Sequence, residues 1–168
     1  MARGAWIAIP LVLAACSGGG SGDSGEPPAS IAAPSLVGTW RTAQPIRFAG
    51  EGVRTETSEG RTTYSHDGRF DYQGRLTIYG ERLPAEGLPF DMRGSGTWSA
   101  GNRILRERFT KVDIAPAAPN PTLAKLGRDM AGEIVAREPT EADIVALDQT
   151  QMMLRDRATG TVATFARE

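Results

Sequence analysis

Few residues in this chain have the type and spacing to do chemistry. Among 168 residues there is one histidine and one cysteine, His66 and Cys16. A lone cysteine excludes an internal disulfide, a zinc ribbon and a CxxC redox pair. A lone histidine excludes zinc sites built from three histidines. His66 would need a placed carboxylate to serve a serine nucleophile, and its neighbour Asp67 belongs to a turn. No G-x-S-x-G elbow occurs, nor a G-x-G-x-x-G or P-loop pattern, and Gly94-Ser95-Gly96 lies on a strand with no helix after it. Glu107 and Asp113 have the chemistry for acid–base work. Nothing in the sequence separates them from the alternating surface charges Arg106, Glu107, Arg108, Lys111 and Asp113. The expectation is a protein that is not an enzyme, with no catalytic residue, no metal and no cofactor. Lys and Arg total 19 against 20 Asp and Glu, so no basic field exists to hold nucleic acid, and none is expected as a partner.

The remaining chemistry lies at the start of the chain. Met1 to Cys16 reads MARGAWIAIPLVLAAC. Arg3 precedes an uncharged run from Gly4 to Ala15, which is shorter than the roughly 20 apolar residues a membrane-spanning helix needs. A basic start, a short apolar run and small residues at its end are the parts of a secretory signal. Leu13-Ala14-Ala15-Cys16 resembles the lipobox of bacterial lipoproteins. That resemblance implies cleavage before Cys16, a signal peptide over 1–15, and lipid on the Cys16 sulfur. It also implies palmitate-type acylation and attachment to a membrane through the N-terminal lipid. Ser17 after the cysteine resembles the sorting residue of lipoproteins sent to the outer membrane, so the expected location is the cell envelope, facing the periplasm. An ordinary secretory signal that happens to contain a cysteine is the alternative. One acyl chain alone holds a protein only marginally, whereas the lipoprotein pattern of two or three chains gives durable attachment.

Ser17 to Pro34 reads SGGGSGDSGEPPASIAAP. It offers little to bury and reads as a flexible tether, spanning about 24 Å as a coil. Residues 16–34 therefore form the lipidated cysteine and tether, and 35–168 the folded body.

The body alternates with a period of two. Phe70, Tyr72, Leu76 and Ile78 share one parity against Arg69, Asp71, Gln73, Arg75 and Thr77. Phe90, Met92, Gly94, Gly96 and Trp98 alternate against Asp91, Arg93, Ser95 and Thr97. Such patterns mark half-buried strands. Turn signals at Asp67-Gly68, Gly101-Asn102 and Thr159-Gly160 separate them. The predicted strands are 36–43, 60–66, 69–79, 89–99, 103–114, 143–148, 151–157 and 161–167, with an irregular strand open over 46–56. Asn120-Pro121 is an N-cap followed by proline at the first helical position, and Leu123, Leu126, Met130 and Ile134 follow at helical spacing. A helix over 121–136 is predicted, with a strand over 132–138 as the alternative. About eight hairpin-linked strands give an all-β body, an up-and-down barrel or a sandwich. Gly94 and Gly96 favour the sharply bent strand of a barrel.

Gly38-Thr39-Trp40 resembles the G-x-W opening of lipocalin-type proteins. Arg167 is the candidate for the basic residue that this superfamily packs on that tryptophan from its last strand. Ser65-His66-Asp67-Gly68-Arg69-Phe70, Gly96-Thr97-Trp98-Ser99-Ala100-Gly101-Asn102 and Met153-Leu154-Arg155-Asp156 resemble segments of small bacterial lipocalin-like domains. The implied fold is a lipocalin-like up-and-down β-barrel of about eight strands, with one short helix inserted before the last strands. First and last strands must meet if such a sheet closes, so Trp40 and Arg167 are the expected closure pair. A frayed terminal charge is the alternative for Arg167.

Trp40, Phe70, Tyr72, Leu76, Ile78, Phe90, Met92 and Trp98 would line the barrel interior. A barrel of eight strands either fills itself or holds one small ligand. The first expectation is an envelope lipoprotein that binds a small apolar molecule there, the inward glycines leaving it space. The second is an interaction or inhibitor lipoprotein that docks on an envelope protein through its loops at 80–89 and 115–121.

Overall fold

The computed structural model describes residues 36–49 and 52–168. Cys16, the signal peptide expected over 1–15 and the tether expected over 16–34 lie outside the described residues. Polar–apolar alternation makes the chain a run of antiparallel strands. They are β1 (Gly38–Thr42), β2 (Ile46–Ala49), β3 (Val53–Tyr64), β4 (Arg69–Gly80), β5 (Leu88–Gly101) and β6 (Ile104–Pro116). The helix α1 (Pro121–Ala136) follows, then β7 (Thr140–Leu147), β8 (Gln151–Asp156) and β9 (Val162–Arg167). The sheet runs β1-β9-β8-β7-β6-β5-β4-β3-β2, and β1 also pairs with β3. That last pairing, Gly38 opposite Tyr64 through Arg41 opposite Arg61, closes eight strands into a barrel. β2 stays outside the ring, paired along β3.

The wall is uneven. β3, β4, β5 and β6 are long, whereas β7, β8 and β9 are short. β6 and β7 pair only from Ile104–Asp143 to Glu107–Thr140, and beyond Glu107 the helix replaces β7 as the neighbour of β6. Asn120 caps α1, its side chain accepting from the Leu123 N–H, with Pro121 in the first turn. The helix covers residues 121–136, and the alternative strand over 132–138 does not form. Gly127 and Ala131 are its buried residues. A Cβ at Gly127 would overlap the carbonyl oxygen of Ile114, so glycine lets the helix lie directly on the strand.

Several boundaries differ from the sequence expectations. The irregular strand over 46–56 is β2 plus the first half of a long β3, and the strand expected to start at 60 starts at Val53. A register shift between Ser58 and Arg61, with Glu59 at φ 55°, breaks the alternation that would have joined the two halves. The turn expected at Gly101-Asn102 is one residue later. Gly101 still pairs with Ile104, and Asn102 and Arg103 take left-handed conformations at φ 52° and 60°. Arg103 is held there by its guanidinium, which donates to the carbonyls of Ile144 and Val145 at 2.8 Å each.

Candidate functional site

The barrel interior is the candidate site, and its parity follows from the register. Phe70, Tyr72, Leu76 and Ile78 of β4 face Gly96, Gly94, Phe90 and Leu88 of β5. All eight expected interior residues, Trp40, Phe70, Tyr72, Leu76, Ile78, Phe90, Met92 and Trp98, belong to the apolar interior, but they divide between two clusters. The lower one gathers Leu36, Trp40, Tyr64, Phe70, Trp98, Leu105, Ile144, Met152 and Leu154, with Tyr72 and Phe109 packed on it. The upper one gathers Ile78, Phe90, Ile114 and Ala131 of the helix, with Leu76, Met92 and Val112 packed on it.

The lower cluster is closed. Trp40, Phe70, Leu105, Ile144 and Met152 are each under 2% exposed. Tyr64 meets Trp98 edge-on at 5.3 Å between ring centroids, and Phe70 meets Phe109 likewise at 5.0 Å. Its floor is the Trp40–Arg167 pair, opposite one another across β1 and β9. The Arg167 guanidinium lies 4.2 Å from the Trp40 ring centroid and donates to the Val37 carbonyl at 2.7 Å. The Trp40 indole donates to the Leu36 carbonyl at 2.8 Å. Gly38 sits at φ 132°, and a Cβ there would lie 2.6 Å from the Arg167 guanidinium. The glycine of the G-x-W segment thus makes room for the arginine.

Between the clusters runs a seam. Its inward residues Tyr72, Leu76, Met92, Phe109 and Val112 are only partly buried, although the register turns them to the inner face. The inward glycines do not leave this space empty as expected. Phe109 lies over Gly94, where a Cβ would come within 2.7 Å of its ring, and Phe70 lies as close over Gly96. The Tyr72 ring covers Gly74 and reaches toward Gly60, and it meets Phe109 at 6.1 Å and 86°. Three aromatic side chains, Phe70, Tyr72 and Phe109, are laid over glycines on the inner face. Burial pushes the Tyr72 phenol up to about 12.

Glu107 corrects the sequence reading. It is not one of the surface charges but faces inward opposite Trp98, where it is partly buried. The Tyr64 hydroxyl donates to its Oε1 at 2.8 Å. Burial raises the Glu107 carboxyl above its ordinary range, partly opposed by that hydrogen bond, and raises the Tyr64 phenol well above its own. Leu105, Glu107 and Phe109 alternate with Arg106 and Arg108, so the inward parity of Glu107 was present in the sequence. Asp113 is exposed opposite Arg93 on the outer face, so the two carboxylates do not form a pair. His66 is exposed in the β3–β4 turn.

No family model matches this chain, and no curated protein does. Among solved structures, it is similar to a redesigned β-barrel, mFAP1, bound to DFHBI. The two share 14% identity over 80% of this chain and 96% of that one, with a TM-score of 0.33. A likeness that loose carries no argument, and the assignment as a barrel rests on the strand pairing alone.

Proposed function

We propose that this protein is a bacterial envelope lipoprotein, lipidated at Cys16 and set at the outer membrane facing the periplasm. Its lipocalin-like barrel binds a small apolar molecule without catalysis. The observation that carries the binding reading is the seam. Partly buried apolar side chains on the inner face, with the Tyr72 and Phe109 rings laid over glycines where the two clusters meet, form a level among the described residues where a guest can replace side-chain packing. The lower cluster is already filled.

The test is the soluble body, residues 35–168, studied by native mass spectrometry. Co-purified lipid supports the reading, and so does a change in tryptophan emission on adding fatty acid. The anchor is tested separately by labelled palmitate, where retained label in Cys16→Ala sinks it.

A second reading has its own support. The loop after β4 borders an open groove of ≈ 460 Å³ lined by Val53, Arg54, Tyr79, Leu83, Pro84 and Ala85, with Val53 45% exposed. An envelope protein docking there would engage the loop at 81–87, shorter than the 80–89 expected because Gly80 ends β4 and Leu88 begins β5. Crosslinking from Ala85→Cys in intact cells would capture such a partner, and no adduct would count against it.

A further inference from the structure

β6 loses its strand neighbour after Glu107, where the pairing with β7 ends, and α1 takes its place. Gly127 seats the helix on the Ile114 carbonyl. Farther along, the helix turns Arg128, Ala131, Gly132 and Val135 toward β6, the spacing of one helical face. Two of these four are too small to fill the gap, and a groove of ≈ 440 Å³ runs between helix and strand. Its apolar walls are Val112 and Ile114 on β6 and Ala131 and Val135 on α1. At Gly132 there is open space, since a Cβ there would meet nothing within 4 Å. The rim is charged. Lys111 and Arg128 line it from opposite elements, both are exposed, and neither stands in an ion pair among the described residues. Lys125 on the same helix is, by contrast, paired with Asp129 at 2.7 Å. Asp113 is the third charged residue of the lining. Two cations and one carboxylate leave the groove one net positive charge beside a strip of apolar surface. Such a strip gains free energy by covering an alkyl chain. The rim attracts one negative charge, and Asp113 opposes a second.

We propose that the groove between α1 and β6 binds a single-chain amphiphile with a singly charged anionic head. The head lies between Lys111 and Arg128. The chain lies along Val112 and Ile114 on one side and Ala131 and Val135 on the other, over Gly132. This site shares only Val112 with the seam and does not depend on a guest there.

The experiment titrates the full chain by calorimetry with decanoate, decanol and decyl phosphate at about pH 8, where the phosphate carries close to two charges. Decanoate should bind about fivefold more tightly than decanol, the contribution of two exposed ion pairs, and at least as tightly as decyl phosphate. High salt should erase that preference. Lys111→Gln and Arg128→Gln should each weaken decanoate by about twofold and leave decanol unchanged. Asp113→Asn should strengthen decyl phosphate more than decanoate. Gly132→Leu places a side chain in the open part of the groove, so it should keep the thermal transition and lose the preference for decanoate. Equal binding of decanoate and decanol to the wild type overturns the proposal, as does no binding of decanoate. A preference for decanoate that survives in a folded Gly132→Leu also overturns it. If that preference is lost in Val112→Phe but kept in Gly132→Leu, the guest lies at the seam and the groove is not its site.

Discussion

Two polar residues set the interior of this barrel, and they differ in how far the sequence disclosed them. The Arg167 guanidinium lies on the Trp40 ring and bonds to the Val37 carbonyl. Arg167→Ala removes both contacts and should cost about 1–3 kcal/mol, seen as a lower melting temperature and altered tryptophan emission. No change in either would show that the pair does not hold the closure. The resemblance of Gly38-Thr39-Trp40 to the lipocalin opening nominated this pair, with a frayed terminal charge left open for Arg167. Glu107 was not legible, because two arginines flank it and the run reads as solvated charge. Only the parity shared with Leu105 and Phe109 turns it inward. Its titration gives a second test. Burial raises its carboxyl in the folded protein, so the folded state holds the proton more tightly than the unfolded chain. That contribution is fully present below the ordinary carboxylate range and is lost as pH rises through the raised value. The wild type should therefore lose melting temperature relative to Glu107→Gln across that window. A difference independent of pH would mean that Glu107 is not buried.

At the scale of elements, α1 and its seat on β6 are decided by glycine. Gly127→Ala would drive a methyl group into the Ile114 carbonyl and should destabilise by about 1–3 kcal/mol, as overpacking does. Gly132 lies on the same helix, and a Cβ there would meet nothing within 4 Å. Gly132→Ala should therefore gain up to about 1 kcal/mol from helix propensity. Opposite shifts in thermal melting test the packing of the helix, and a loss in both would mean that α1 sits differently. The helix was legible because Asn120-Pro121 supplies a local start signal. The first half of β3 was not, since Val53 to Ser58 is mostly polar and the irregularity before Arg61 resets its parity. The same happens on β6. Phe109 faces inward with odd parity, while Val112 and Ile114 do so with even parity, across a register shift opposite Ser95 and Gly96. A pattern of strict alternation cannot anticipate where an extra residue enters the ladder.

Taken whole, the molecule is a closed ring of strands with a tall side and a short side, the helix lying against the tall one. Part of the charge on the outer surface is held in ion pairs. Arg47–Glu56 and Arg106–Glu141–Arg157 are examples, and the two arginines hold the Glu141 carboxyl below its usual range. Such exposed pairs contribute little to stability, and the fold depends on the two apolar clusters inside. The separation of those clusters was hidden from the sequence, where one stripe of aromatic and aliphatic residues implied a single interior. The proposed binding site lies where the two clusters meet. The most direct test compares residues 35–168 with their Val112→Phe variant, in which a larger side chain fills the seam. The tryptophan emission of each is titrated with decanol. The wild type should show a saturable change and Val112→Phe should lose it while keeping its thermal transition. No saturable change in the wild type, or an unaltered one in a folded Val112→Phe, would contradict a binding site at the seam.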